Sequence, residues 1–315
     1  MKVLITGALG ELGADLCPQL AREFELRRTD LRAEMLVEGD DYLRADLTRP
    51  EQLPRLLEGV EAVVHLAALL PHGYTPAEFM DANAKATTLL AAASAEAGVR
   101  RFVYASTIWA TGRGQQEGYL PVDEKAPWRP ICMYGHSKLL GELGCEFYAR
   151  NCGLSVVVLR LCGYHRQAAA RPEGDIDWAA ADLTALAQDA VMPGQRLFDP
   201  ADLGAAFLAA LRAEAPSSLT GATALTGDVQ FRRYLIGLDF PFAAEDAAEL
   251  CSGPLSVLDR YYPGAREMAE ALGWEPRPID RYHDVSRAKR ELGFRAGTDL
   301  GDVIAEFRRR GSGEL

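Results

Sequence analysis

The sequence predicts an α/β chain organised on a doubly wound parallel sheet, with a smaller lobe towards its C-terminal end. Three observations carry that expectation. A glycine-spaced turn, Gly7, Gly10 and Gly13, lies between a short apolar run at Val3–Ile5 and a helical pattern through Leu16 and Leu20. Strand-like and helix-like stretches then alternate five times without a repeat of sequence, as they do when helices cover both faces of a parallel sheet. The stretch EAVVHLAAL, from Glu61 to Leu69, is a continuous apolar run of the kind buried on both faces.

Taken in order, the opening strand, glycine triplet and helix read as a Rossmann-type start. Glycines there let the backbone turn sharply and approach a pyrophosphate, while the helix offers its amides and positive dipole end to the anion. Glu25 to Arg28 is a plausible second strand, closed by Thr29 to Arg32. Asp30 stands near the place where an acidic side chain reaches the adenosine ribose. A carboxylate would repel a 2′-phosphate, so NAD is favoured, with Arg28 and Arg32 leaving NADP open. The plainer reading of Asp30 is a turn residue after a strand.

Asp46-Leu47-Thr48 ends another short segment, and Pro50 to Gly59 reads as a helix closed by its glycine. Ala67 and Ala68 end the apolar run, small enough for a cofactor to lie close. His65 within the run reads as a satisfied core histidine, since no second histidine or carboxylate is spaced to join it. Asn83 to Ala97 is an alanine-rich helix leading into the strand Arg101 to Thr107, which places Ser106 and Thr107 at a carboxyl end, where ligands of such sheets bind. Tyr134 and Lys138 are four apart and so share a helix face, close enough for an ammonium to favour the phenolate. That spacing alone usually means only a solvated face. Leu154 to Leu161 is a further strand, and Thr223 to Thr226 a candidate for the last.

Composition narrows the classes. The 315 residues are 48% hydrophobic and carry a net charge of −11, which argues against a nucleic-acid partner bound through a basic face. No stretch approaches the ~18 consecutive apolar residues of a membrane span. The opening lacks the architecture of a signal peptide, and Cys17, Cys132, Cys145, Cys152, Cys162 and Cys251 are scattered without a Cys-x-x-Cys pair. Together these features read as a cytoplasmic protein with reduced thiols, no zinc site and no membrane partner.

The glycine triplet, Asp30, the strand ending in Ala67-Ala68, Ser106-Thr107 and the Tyr134/Lys138 pair together resemble the extended short-chain dehydrogenase/reductase family, in its NAD-dependent epimerase/dehydratase branch. The likeness covers residues 1 to 163 and, more loosely, the tail. It implies an NAD-dependent enzyme in which Tyr134 is the general acid/base, Lys138 lowers its pKa and holds the nicotinamide ribose, and Thr107 hydrogen-bonds the reacting hydroxyl. It further implies a cofactor site built from Gly7, Leu9, Gly10, Glu11, Leu12, Gly13, Asp30, Asp46, Leu47, Leu66, Ala67, Ala68, Asn83, Ser106, Tyr134, Lys138 and Leu161. Substrate would meet Thr107, Trp109, Cys162 and Gly163. The family also suggests a homodimer, paired through Asn83–Ala97 and Tyr134–Arg150.

Two departures narrow the subfamily. Sugar dehydratases carry Asp-Glu after the active-site threonine, where this chain has Ile108-Trp109. Nucleotide-sugar epimerases usually show Arg-x-x-Asn after the next strand, where this chain reads Arg160-Leu161-Cys162-Gly163. The expected architecture is a dinucleotide-binding domain over 1–228, with 164–195 contributing to a substrate lobe formed by 229–315. Arg232, Arg233, Tyr261 and Tyr262 are candidate pocket residues in that lobe, with Arg260 and Arg266 as anion clamps, although each taken separately reads more simply as a solvated residue on a helix; Asp202 is a helix-start residue, stabilised by the N-terminal dipole. The readings that compete are a (nucleotide-)sugar epimerase, a dehydrogenase of a sugar acid such as a uronate, and a non-catalytic dinucleotide-binding protein.

Overall fold

The chain starts in the middle of its sheet. The computed structural model describes residues 1–32, 41–71, 73–112, 121–164, 176–191, 196–197, 199–213 and 230–311. Strand β1 (Lys2–Thr6) is followed by α1 (Glu11–Leu20), β2 (Glu25–Thr29) and β3 (Asp41–Tyr42). The chain then returns past β1 through α2 (Leu53–Leu57), β4 (Ala62–His65), α3 (Pro76–Phe79), α4 (Ala86–Glu96), β5 (Arg101–Thr107), α5 (Met133–Cys152) and β6 (Val156–Leu161). After α6 (Leu183–Ala190) and α7 (Pro200–Arg212), β7 (Phe231–Ile236) completes a seven-stranded sheet in the order β3-β2-β1-β4-β5-β6-β7. β1 pairs in parallel with β2 and with β4, and β4 with β5. The order reverses between β1 and β4, which opens a crevice beyond their carboxyl ends. Five short helices follow: α8 (Ala247–Ser252), α9 (Leu255–Tyr261), α10 (Ala265–Leu272), α11 (Ser286–Glu291) and α12 (Leu300–Gly311).

Two compact units divide the chain: residues 1–112, 128–160 and 207–234, and residues 113–127, 161–206 and 235–315. In the first, Leu4, Val63, Phe102, Val158, Leu53, Leu56, Leu90 and Leu154 form a fully buried core between strands and helices. The apolar run expected over 61–69 pairs only through His65. Beyond it, Ala67 N donates to Thr6 Oγ1 (3.3 Å) and Leu69 N to Asn83 Oδ1 (2.7 Å), so side chains draw the backbone out of the ladder. The alanine-rich helix begins as a π-helical turn, Met80–Lys85, which carries the buried Asn83. The candidate strand at Thr223–Thr226 lies outside the described residues, as do 165–175 and 192–195 of the central segment.

In the second unit, α11 is preceded by a short parallel bridge between His283 and Val122. Asp202 stands in the first turn of α7, as the sequence suggests, and has a second role. Asp199 caps α7 by accepting from Ala201 N (2.8 Å), while the Asp202 carboxylate accepts from Gly297 N (2.6 Å) and Thr298 N (3.4 Å). Burial lifts the Asp202 pKa to about 6 against the pull of the Gly297 amide, with the neighbouring Asp199 adding to the rise. A carboxyl with a raised pKa binds its proton more tightly folded than unfolded, so the stability it lends at low pH is lost as pH climbs through about 6. Asp202→Asn is expected to remove about 2 kcal/mol of that slope between roughly pH 4.5 and 7.5, read from urea unfolding of both proteins. Equal slopes would show that Asp202 titrates normally.

Candidate active site

Helix α1 begins without a side-chain cap: its N-cap is Gly10, so no side chain satisfies its first-turn amides beside the glycine turn. Gly7 holds φ +67°, and a Cβ there would stand 2.7 Å from Ala67 N, so the β1 and β4 ends approach as only glycine permits. Gly13 does a different job, since a Cβ on it would meet Ala8 O at 2.5 Å within the packing of α1 on the turn. A cleft of about 390 Å³ opens along this edge, lined among others by Gly7, Gly10, Asp30, Asp46, Leu47 and Ala67. Leu66 and Ala68 also line it, so eight of the residues expected at a cofactor meet in one cleft. Tyr74, Ala82 and Ala86 line it as well, and no periodicity or motif in the sequence singles them out.

Asp30 accepts from Leu9 N (3.2 Å) and from the Arg32 amide (3.1 Å), and the Arg32 guanidinium reaches back to it and to the Leu9 carbonyl. Glu11 is exposed at the first turn of α1, with Leu12 half-buried beside it. Asp46 is turned towards Thr48 and Arg49, and Thr48 holds its carboxyl below the usual range. The two alanines, the uncapped helix and the fixed carboxylate fit a dinucleotide's pyrophosphate and ribose.

The second group of residues collects where β5 ends. Thr107 ends β5 and Tyr134 lies in the first turn of α5, both buried, and the Thr107 side chain is near enough to the phenol to lower its pKa. They come this close because Gly135 has no side chain: a Cβ there would collide with the Trp109 carbonyl. Cys132 caps α5 through Sγ, accepting from Gly135 N (3.4 Å). Burial pushes the Tyr134 phenol up to about 12, the Thr107 side chain pulling against it. Lys138 is 1% exposed, and burial brings its ammonium down to about 7 while Cys145 and Glu142 pull it up.

Ser106 and Asn83 face inwards. Ser106 Oγ donates to Glu142 Oε1 (2.5 Å), and Glu142 accepts from Arg160 (2.8 and 2.7 Å) and from Arg233 Nε (2.8 Å). Arg233 continues to Glu146 (2.6 Å) and lies over the Trp128 and Phe231 rings. Burial pushes the Glu142 carboxyl up, yet Arg160, Arg233 and Ser106 together hold it below its ordinary value. Asn83 Nδ2 donates to Leu69 O and to Ser137 Oγ (both 3.0 Å), and Ser137 Oγ donates to Tyr134 O (2.8 Å). Asn83 thereby ties the loop after β4 to the helix of Tyr134. His65 is the satisfied core histidine the sequence suggests: Thr6 Oγ1 sits 2.7 Å from Nδ1 and Thr87 Oγ1 2.9 Å from Nε2.

In the second unit, Leu161 and Cys162 are buried, and Gly163, at φ +133°, lies under the Arg196 side-chain stem. The cations expected to clamp an anion there are already engaged. Arg260 pairs with Asp246 (2.6 Å) and Glu249 (3.1 Å), Tyr261 donates to Asp246 (2.8 Å), and Arg266 meets Asp259 and Ser256. Arg233 belongs to the buried network of the first unit. Among the described residues no cluster of His, Cys, Asp and Glu could hold a metal ion, no disulfide joins the six cysteines, and no helix is long and apolar enough to cross a membrane.

A parallel sheet with a glycine turn at its switch point and a hydroxyl pair at the end of β5 defines a dinucleotide-dependent enzyme of the Rossmann class. Residues 3–214 match the NAD dependent epimerase/dehydratase family, and the chain belongs to it. A UDP-glucose 4-epimerase of Streptococcus mutans is 26% identical, over 88% of this chain and 92% of its own. A uronate dehydrogenase of Pseudomonas putida is 30% identical over 51% of this chain and 60% of its own, and an uncharacterised UDP-glucose epimerase of Bacillus subtilis 29% over 51% and 55%. The matches to these last two span only about half to three fifths of those relatives. A short-chain dehydrogenase/reductase superfamily protein from Agrobacterium tumefaciens, solved with bound NAD, superposes with a TM-score of 0.66 at 22% identity, over 100% of this chain and 99% of that one, which speaks for the fold.

Proposed function

We propose that this chain is an NAD-dependent sugar epimerase in which Tyr134 moves the hydroxyl proton. The observation that carries the reading is that buried Thr107 at the end of β5 and buried Tyr134 in the first turn of α5 are brought together where Gly135 lies against the Trp109 backbone, with Lys138 one helical turn on. When bound, NAD supplies the hydride acceptor and donor that side chains lack. Gly7, Gly10, Leu66, Ala67 and Ala68 would admit it closely, the first turn of α1 would face its pyrophosphate, and Asp30 its adenosine ribose. At about 12, the resting phenol is protonated throughout the neutral range and is ready to donate a proton to a carbonyl oxygen. Accepting one from a carbinol needs a stabilised phenolate, and the chain's groups placed for that are the Thr107 hydroxyl and the Lys138 ammonium. Trp109, Cys162 and Gly163 are assigned to the substrate, and the outer faces of α4 and α5, where Leu143 and Phe147 are exposed, to pairing with a second copy.

A second reading is favoured by Gly163, which stands where nucleotide-sugar epimerases usually carry asparagine: a dehydrogenase of a sugar acid, running the same half-reaction once. One experiment separates the two. Acid-denatured protein is expected to release close to one NAD per chain, the mark of a cofactor that never leaves, with a dimer's mass by light scattering. An empty protein that reduces added NAD with uronates would replace the epimerase reading with the dehydrogenase.

A further inference from the structure

Lys138 is a buried cation, and it forms no ion pair among the described residues. Glu142, one turn further along α5, spends its oxygens on Ser106, Arg160 and Arg233. What lies against the ammonium instead is an aromatic ring: Lys138 Nζ stands 4.3 Å from the centre of the Tyr104 ring on β5. The His65 imidazole stacks on the same ring, 5.4 Å between centres and 16° between planes. All three side chains are essentially inaccessible to solvent. Tyr104 is itself held, since its hydroxyl reaches the Lys138 carbonyl (3.5 Å), and a Cβ on Gly141 would meet it at 2.5 Å.

We propose that Tyr104 is a positioning residue for the active site, its ring holding the Lys138 ammonium in place and in its charged form. The proposal rests on Lys138 being the lysine of the active site. A ring face attracts a cation electrostatically, and the attraction grows when water is excluded, as it is here. His65 cannot oppose it, because burial and then the Lys138 charge keep the imidazole neutral. Tyr104 stays an uncharged phenol, pushed far up by burial. The other titratable groups acting on Lys138 are Glu142 and Cys145 on its own helix, the first offset by Arg160 from β6 and Arg233 from β7. The ring is thus the neutral support that burial has not cancelled.

The chain has five lysines, few enough to follow each one by ¹³Cε chemical shift in lysine-labelled protein, with Lys138→Met giving the assignment. In the wild type, Lys138 is expected to titrate at about 7, and Tyr104→Phe, which keeps the ring, to leave that midpoint in place. Tyr104→Leu, and pentafluorophenylalanine at position 104, which keeps the shape and reverses the ring's charge distribution, are expected to lower it by about one unit. A midpoint unchanged in both overturns the proposal, and the fluorinated ring guards against a leucine variant that fails to fold. NAD⁺ affinity by calorimetry separates the two levels of the argument: a moved midpoint with unchanged affinity leaves Tyr104 in its role and removes Lys138 from the dinucleotide site.

Discussion

Tyr134→Phe is expected to lower turnover by about 10²- to 10⁴-fold while NAD⁺ affinity stays within roughly twofold. The substitution removes one oxygen and leaves the ring, which packs edge-on against Phe79 at 6.5 Å between centres. Helix α5 therefore keeps its seat, and what is lost is the proton that travels between the phenol and a substrate oxygen. The measurement is kcat on whichever sugar first gives turnover, with calorimetric NAD⁺ binding beside it. Turnover near wild type would remove Tyr134 from the chemistry, and a parallel loss of NAD⁺ binding would make its role structural.

Glu142→Ala carries the largest expected effect on stability, a loss of about 3–5 kcal/mol. Arg160 has no exposed surface, so truncating the carboxylate it shares with Arg233 leaves the Arg160 guanidinium without a compensating charge in a place water does not reach, while Arg233 keeps Glu146. The lost bond to Ser106 also removes one tie between α5 and β5, the two elements that carry Tyr134 and Thr107. Urea unfolding of the two proteins measures this, and a loss below about 1 kcal/mol would mean that the arginines find water or new partners.

The glycine-turn half of the candidate site was legible because its requirements are local. Gly7 must adopt positive φ and admit Ala67, and Asp30 must follow the second strand at a set remove; both are matters of short-range backbone geometry that leave a mark on residue type and order. The Tyr134/Lys138 spacing was legible for the same reason. What the spacing could not convey is the state of the two groups: burial sends the phenol up and the lysine down.

The sequence by itself determined the strand and helix alternation, the glycine turn and the family, since each is written in contiguous residues with a fixed period. The tertiary structure alone decided which polar side chains face a ligand and which face the core. Ser106 could be read as an active-site hydroxyl and Arg233 as a pocket cation, yet both are committed to Glu142, one from β5 and the other from β7. Asp202, read as a helix start, stands in the first turn of α7 and also serves the Gly297 and Thr298 amides. These partners lie tens of residues apart in the chain, and the cost of burying a charge is known only once the fold has set its neighbours.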